Sequence, residues 1–314
     1  MEIRTCRKAW ARWSLTVGAV VVLAACATAP VPDKPAVDLT PTTAPPTPPL
    51  VVAKPPPKIG LALGGGAARG FAHVGVIQVL EENGIRPALV TGTSAGSLVA
   101  AIYASGKSGG QLQRVAETME EAAIADWTLP IFSRGMLRGE ALARYVNAQV
   151  GSRLIEDMPL PLGIVATDLN TGKDVVFQRG DTGTAVRASS AVPAVFQPVK
   201  ISGREYVDGG LVSPVPVGAA RKMGADFIIA VDISSPPEGS LTGGTLEILL
   251  QTFAIMGKSI NTFELRDADV VVRPALQGIA SSDFSARKRS IEAGRQAMLR
   301  AIPELKAALA ARSR

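Results

Sequence analysis

Residues 59–104 read IGLALGGGAARGFAHVGVIQVLEENGIRPALVTGTSAGSLVAAIYA, and this stretch predicts the architecture of the chain. Residues 59–63 form an apolar run typical of a short buried strand, and residues 69–82 carry apolar side chains at helical spacing. The pattern then repeats, with a second apolar run at residues 88–90, a glycine turn and a helix at residues 97–104. Strand, turn and helix in this succession predict parallel strands joined by right-handed crossovers.

The chain continues this alternation after residue 104. Further strands are predicted at residues 162–167, 175–178, 227–232 and 270–272, and helices at residues 110–123, 139–150, 215–223 and 287–311. The predicted fold class is α/β, with a mostly parallel central sheet flanked by helices on both faces. Active sites of such sheets lie at the carboxyl ends of the strands, where both glycine turns fall.

The second glycine turn has the pattern G-x-S-x-G, from Gly92 through Ser94 to Gly96. In a sharp strand-to-helix turn of this kind, the serine hydroxyl stands at the N-terminus of the helix, where the helix dipole favours developing negative charge. Gly92 and Gly96 leave space for the strained backbone between them. The pattern therefore predicts that Ser94 is a nucleophile.

The first glycine turn, Gly64-Gly65-Gly66, is followed by Arg69 and Gly70. Consecutive glycines expose backbone N–H groups, which suits either an oxyanion hole or a phosphate, and Arg69 adds a cation. The dinucleotide fingerprint is not matched, because Arg69 stands where it requires glycine and no acid ends the next strand. No Gly-Lys-Ser/Thr follows either, so no nucleotide is expected.

A serine nucleophile needs a base, and the chain has a single histidine, His73, which precedes Ser94. The α/β-hydrolase triad places its histidine after the serine and the acid, so that triad is excluded. His73 lies on the first predicted helix and is interpreted as a packed helix residue. A carboxylate can serve instead, and the candidates are Asp208, Asp168 and Asp232, among which the chemistry of the residues does not choose.

Composition excludes other functions. One histidine and two cysteines cannot supply a structural zinc site or a two-histidine metalloprotease site, whereas a metal held only by carboxylates stays possible. No cofactor is expected. Half of the net charge of +6 comes from the first twelve residues. The remaining charge is too weak for an electrostatic footprint, so nucleic-acid binding is not expected.

The N-terminal residues 1–25 have the basic start, apolar middle and small-residue end of a secretory signal peptide. Leu23-Ala24-Ala25-Cys26 resembles the lipobox of bacterial lipoproteins, in which the cysteine is acylated. Residues 26–57 then form a tether, because eleven of the 23 prolines lie between Pro30 and Pro57. These features predict a bacterial envelope protein held by lipidated Cys26, in the outer membrane and facing the periplasm, with one domain at residues 58–314.

Four motifs together resemble the patatin-like phospholipase family: GGGAARG at residues 64–70, GTSAG at 92–96, ASSAVPAVFQPV at 188–199 and DGG at 208–210. The resemblance covers about residues 58–235 and implies a three-layer α/β/α fold. It implies hydrolysis of lipid or phospholipid acyl esters through an acyl-enzyme, with Ser94 as nucleophile and Asp208 as its base. The amides of Gly64, Gly65 and Gly66, assisted by Arg69, would then form the oxyanion hole, and no metal is needed.

Alternatives remain open at this point. The chain could be a catalytically inert lipoprotein that binds or organises the envelope, or it could pass the acyl group to an acceptor other than water. The apolar helix predicted at residues 246–263 either packs against the sheet edge or, with residue 245, serves as a lipid-facing lid.

Overall fold

The computed structural model describes residues 56–119, 126, 135–234 and 244–312. The predicted signal peptide, Cys26 and the tether up to residue 55 lie outside the described residues. In the described ranges the chain alternates strands and helices, as the sequence predicts.

The strands are β1 (Ile59–Leu63), β2 (Leu89–Thr93), β3 (Gly135–Leu137), β4 (Leu162–Asp168), β5 (Asp174–Phe177), β6 (Ala194–Phe196), β7 (Val199–Ile201), β8 (Arg204–Asp208), β9 (Phe227–Val231) and β10 (Val270–Val272). In the part of the chain that the structure describes, eight of them form one sheet in the order β10-β9-β1-β2-β4-β8-β7, with β5 also paired to β4. The first five strands of that order are parallel, and β5, β7 and β8 pair in the antiparallel sense. β3 and β6 form a separate parallel pair.

The helices are α1 (Ala72–Glu82), α2 (Ala95–Ala104), α3 (Gly109–Thr118), α4 (Glu140–Val150), α5 (Thr182–Ser189), α6 (Val217–Lys222), α7 (Thr245–Glu264) and α8 (Arg287–Arg312). Alternate strand residues face opposite sides of a sheet. Leu61 and Leu63 join a core with α1, α2 and α8, whereas Ala62 joins a second core with Val217 and Ala220 of α6. Helices therefore cover both faces, and the predicted fold class is confirmed.

The starts of the two helices that follow the glycine turns differ from the prediction. The helix predicted from residue 69 begins as a 3-10 turn, Ala67–Phe71, and becomes α-helical only at Ala72. The tighter turn follows from the bond that Arg69 N donates to Gly66 O, three residues back. α2 begins at Ala95, two residues before the predicted start, so Ser94 is its N-cap.

The hairpin of β7 and β8, which carries Asp208, was not predicted from the sequence. Ile201 pairs with Arg204, which leaves Ser202-Gly203 as a two-residue turn, and both residues have positive φ, 49° and 84°. Two-residue hairpin turns of this kind favour small residues and glycine. The Ser-Gly pair was therefore the signal that could have identified the hairpin.

The register of β4 positions the candidate site. Val165 of β4 faces Thr93 at the end of β2, and the next residue, Ala166, faces Asp208 at the end of β8. β5 occupies the opposite edge of β4 along this stretch, so β2 and β8 follow one another on the same edge. The residue after Thr93 is Ser94, and the topology therefore brings Ser94 and Asp208 together.

α7 exposes several apolar side chains, including Ile248, Ile255 and Phe263. Among the described helices, none is long and apolar enough to cross a membrane.

Candidate active site

Ser94 occupies a strained turn between β2 and α2. Its φ of 52° and ψ of −123° lie in a region that non-glycine residues rarely adopt. The flanking glycines make the turn possible, since a Cβ on Gly92 would lie 2.5 Å from Gly96 O, and one on Gly96 would lie 2.1 Å from Leu63 O. Gly92 and Gly96 are therefore required by the close approach of the backbone on either side of Ser94.

The backbone of Ser94 is held by two other serines. Ser94 N donates to Ser189 Oγ at 2.9 Å, and Ser189 Oγ donates to Val165 O at 2.5 Å. Ser97 Oγ donates to Ser94 O at 2.6 Å. The sequence analysis did not single out Ser189, although it lies in the stretch at residues 188–199 that resembles the family.

Asp208 presents one carboxylate oxygen to this turn. Its Oδ1 accepts the N–H of Gly210 at 2.7 Å, while Oδ2 is buried and has no hydrogen bond of ordinary geometry to any described residue. Burial raises the pKa of Asp208 to about 6, and the Gly210 N–H and the nearby Ser94 hydroxyl oppose that rise. The Ser94 hydroxyl is therefore close enough to affect the Asp208 carboxyl, although the two form no hydrogen bond of ordinary geometry.

The other two candidate acids are engaged elsewhere. Asp168 pairs with Arg204 Nη1 at 2.9 Å and accepts the N–H groups of Asn170 and Thr171. Burial would raise the pKa of Asp168, but these bonds outweigh burial and lower it. Asp232 accepts bonds from the N–H and hydroxyl of Ser234. Of the three acids, Asp208 is the one that the structure places beside Ser94.

The glycine turn after β1 differs from the prediction. Gly64 N donates to Val231 O at 3.0 Å and Gly65 N donates to Pro214 O at 2.9 Å, so neither N–H is available to an oxyanion. The expectation that the Gly64 and Gly65 amides form the hole is therefore wrong. Gly65 instead lies against Ser94, since a Cβ on Gly65 would be 3.2 Å from Ser94 Cβ.

Other N–H groups remain free in the same turn. Gly66 N and Ala67 N have no acceptor among the described residues, and Ala67 adopts a positive φ of 49°. Ala95 N, the first amide of α2, also has no acceptor in the described ranges. These three N–H groups are the candidate oxyanion donors, because unpaired amides at a helix N-terminus suit a negative charge.

Arg69 is buried beside this turn, at 7 % exposure. Burial lowers the pKa of its guanidinium, and its Nε has no hydrogen bond to any described residue. A contribution of Arg69 to the oxyanion hole stays a prediction.

His73 is fully buried on α1 and lies 2.8 Å from Gly64 O through its Nε2. A carbonyl only accepts, so Nε2 carries the proton and donates it to Gly64 O. Burial lowers the pKa of His73 to about 4, against the hydrogen bond to Gly64 and the charge of Asp232, which raise it. The imidazole is therefore neutral at pH 7 and holds the glycine turn, which agrees with its interpretation as a packed helix residue.

We expect His73→Leu to lower the free energy of unfolding by about 1–3 kcal/mol, because Gly64 O loses its donor. The ester hydrolysis that the family resemblance implies should stay within about tenfold of wild type, with an unchanged pH profile, because loss of a general base costs more than that. Thermal unfolding and pH–rate measurements check both results, with His73→Gln as the control that keeps a donor. A loss of hydrolysis in both variants, with the fold intact, would assign the base role to His73.

A cavity of about 270 Å³ includes Ser94 and Ala95 in its wall. Among the described residues that line it, Ser94 and Ser190 carry the polar side chains and the remainder are apolar residues or glycine. No residue of α7 lines this cavity, so the lining of the cavity gives no support to the hypothesis that α7 is a lid. The arrangement suits a ligand with an apolar body and a reactive group at Ser94.

Comparison with known proteins identifies relatives over most of the domain. A family model described as "Patatin-like phospholipase" matches residues 61–221. An uncharacterized NTE family protein of Mycobacterium tuberculosis is 39% identical over 184 residues, which cover 58% of this chain and 51% of that protein. Patatin-like phospholipase domain-containing protein 6 of Mus musculus is 33% identical over 231 residues, 71% of this chain and 16% of that protein. The chain thus spans about half the length, or less, of these relatives.

Among solved structures, VipD from Legionella pneumophila superposes with a TM-score of 0.56 at 14% sequence identity. The match covers 80% of this chain and 68% of that chain. At this identity the likeness concerns the fold alone.

Proposed function

The chain belongs to the patatin-like phospholipase family, and on that premise we propose that it is a lipid acyl hydrolase of the phospholipase A or esterase type. The observation that supports the proposal is the position of Ser94 at the strained N-cap of α2, next to an apolar cavity. The register of β4, which faces Thr93 and Asp208 with consecutive residues, supports Asp208 as its base. A nucleophile, a base and a site for an apolar chain are what acyl-ester hydrolysis requires.

In the first half of the proposed reaction, Ser94 Oγ attacks the acyl carbon while Asp208 Oδ2 takes the hydroxyl proton. The carbonyl oxygen becomes an oxyanion, which the N–H groups of Gly66, Ala67 and Ala95 stabilise. The C–O bond to the alcohol then breaks, and the alcohol leaves with the proton from Asp208. The acyl group remains on Ser94 as an ester.

In the second half, water takes the place of the alcohol. The water oxygen attacks the acyl carbon while Asp208 accepts a proton from that water. Asp208 returns the proton to Ser94 Oγ when the bond between Ser94 and the acyl group breaks. The products are a free carboxylic acid and the resting enzyme. An acceptor alcohol in place of water would instead give acyl transfer by the same steps.

Release of free fatty acid by the full-length protein tests the proposal, with p-nitrophenyl esters and phosphatidylcholine vesicles as substrates. Hydrolysis of either is expected. An added alcohol acceptor that captures most of the acyl group would favour the transferase alternative, and a folded protein inactive on every substrate would favour the inert lipoprotein.

The rate should depend on pH through Asp208. A protonated carboxyl cannot accept the Ser94 proton, and burial raises the pKa of Asp208 to about 6. We therefore expect kcat/KM to be about a tenth of its plateau at pH 5, to rise with pH around a midpoint of about 6 and to level off above pH 7. A pH–rate profile with a short-chain ester measures this.

Glu264 is the control for that profile. Burial raises the pKa of Glu264 to about 7, against hydrogen bonds from the Ser213 hydroxyl and the Gly218 backbone that lower it. Ser213 lies near the site, since Thr93 Oγ1 donates to Ser213 O at 2.8 Å. Glu264→Gln should leave the limb near pH 6 in place, and disappearance of the limb in this variant would contradict its assignment to Asp208.

The membrane anchor forms part of the proposal. Acylation of Cys26 would hold the domain on a bacterial envelope membrane, where several chains give stable binding and one does not. A tethered hydrolase then meets its lipid at high effective concentration. Cys26→Ala is expected to release the protein from the membrane fraction, and intact mass measurement of the wild type detects the acyl chains.

A further inference from the structure

The cavity beside Ser94 follows one face of α2. Its wall takes Ala95, Leu98, Val99 and Ile102 from this helix, the spacing of a single helical stripe. The cavity therefore extends from the N-terminus of α2, where Ser94 lies, along two turns toward its other end.

The far end of the cavity is formed by Ile102 of α2 and Leu112 of α3. The first turn of α3 is packed against the later part of α1, where a Cβ on Gly109 would lie 2.8 Å from Gln78 Cγ. α1 starts at the glycine turn beside Ser94, so α3 begins at the end of the cavity away from Ser94 and returns toward it. Ile102 and Leu112 both line the cavity and are 4% and 3% exposed, as expected of side chains that form its floor.

Two independent measures give the length of alkyl chain that fits. Eight helical residues from Ser94 to Ile102 span about 12 Å at about 1.5 Å per residue. An extended chain advances about 1.2 Å per bond, so about ten bonds fit this length. The volume of about 270 Å³ holds about nine methylenes if each takes the roughly 30 Å³ of a water molecule.

We propose that this cavity selects acyl groups of about eight to ten carbons, with Ile102 and Leu112 setting the limit. The inference rests on the proposed function, because it takes the acyl carbon to sit at Ser94. Each methylene buried up to the floor should raise kcat/KM by at most about fourfold. A longer chain gains nothing further and must fold back or displace packed side chains.

The test is kcat/KM for p-nitrophenyl esters from two to sixteen carbons, measured below their micelle concentrations with the full-length protein. The expected profile rises with chain length, peaks at about eight to ten carbons and then falls. Hydrolysis with no peak, or with a rate that rises evenly to sixteen carbons, would overturn the inference and leave the proposed function standing. No hydrolysis of any ester would overturn both.

Variants of the floor locate the limit. Ile102→Ala removes three carbons from the end wall and should move the optimum two to three carbons longer, whereas Ile102→Phe should move it shorter. Ile77→Ala is the matched control, since Ile77 is fully buried in the same core but does not line the cavity.

An optimum that stays in place in Ile102→Ala and Ile102→Phe, or that moves equally in Ile77→Ala, would overturn the role of the floor. Should Ile102→Ala fail to fold, Ile102→Val carries the same test with an expected shift of one carbon. Leu112→Ala tests the second residue of the floor, and we expect it to move the optimum to longer acyl chains in the same way.

Discussion

Ser94→Ala is expected to lower kcat for ester hydrolysis by at least about a thousandfold, because the acyl-enzyme can no longer form. The variant keeps the positive φ of 52° at this position, and the bond from Ser94 N to Ser189 Oγ does not involve the lost hydroxyl. The fold should therefore be retained. Single-turnover hydrolysis of a p-nitrophenyl ester and thermal unfolding measure the two effects together.

Ser105→Ala is the matched control for this change. Ser105 caps the opposite end of α2, where its hydroxyl donates to Ile102 O at 2.7 Å, and it lies outside the residues that line the cavity. Its hydrolysis rate should stay near that of wild type. A Ser94→Ala variant with more than a tenth of the wild-type rate would exclude Ser94 as the nucleophile.

Asp208→Asn is expected to lower kcat by at least about a hundredfold and, at the same time, to stabilise the fold at neutral pH. The loss of rate follows from the loss of the general base. The gain in stability follows from burial, which raises the pKa of Asp208 from 3.8 to about 6. Because the folded-state pKa of this carboxyl is raised, the free energy of unfolding falls as pH rises from about 4 to about 6.

At pH 7.5 the buried carboxylate therefore costs about 3 kcal/mol relative to its protonated form. Asparagine carries no charge, and its Oδ1 can still accept the Gly210 N–H. The free energy of unfolding should rise in Asp208→Asn at pH 7.5 and much less at pH 4.5. Denaturant unfolding at both pH values, with kcat from the same preparation, measures the pair of effects.

Asp168→Asn is the control, in which we expect the free energy of unfolding to change in the opposite direction. The bond from Arg204 helps to lower the pKa of Asp168, so its charge stabilises the folded state above that pKa and the substitution should destabilise it at pH 7.5. Its rate should stay far above that of Asp208→Asn. Equal losses of rate in the two aspartate variants would mean that Asp208 acts only through the structure of its turn.

The sequence predicts the parts of the site that local backbone geometry determines. The turn around Ser94 follows from a strand, a G-x-S-x-G pattern and a helix that together span residues 89–104. The fold class follows from the same local alternation. These features need no knowledge of distant contacts.

The rest of the site depends on partners far away in the chain. The run of glycines predicts that the N–H groups of Gly64 and Gly65 are available to a ligand. In the structure, Val231 O accepts the first and Pro214 O accepts the second. The choice of Asp208 over Asp168 depends on the register of β4 with β8, about forty residues later. Strand pairing over such separations is specified by packing and cannot be read from a single motif.

Labelling with a fluorophosphonate probe tests whether Ser94 is an activated nucleophile, because the probe reacts with a serine only when that serine is activated. We expect one covalent adduct per full-length chain, mapped by mass spectrometry to the peptide containing Ser94. The adduct should be absent in Ser94→Ala and should form at least a hundredfold more slowly in Asp208→Asn. A folded wild-type protein that stays unlabelled, or that is labelled at another serine, would exclude Ser94 as the nucleophile.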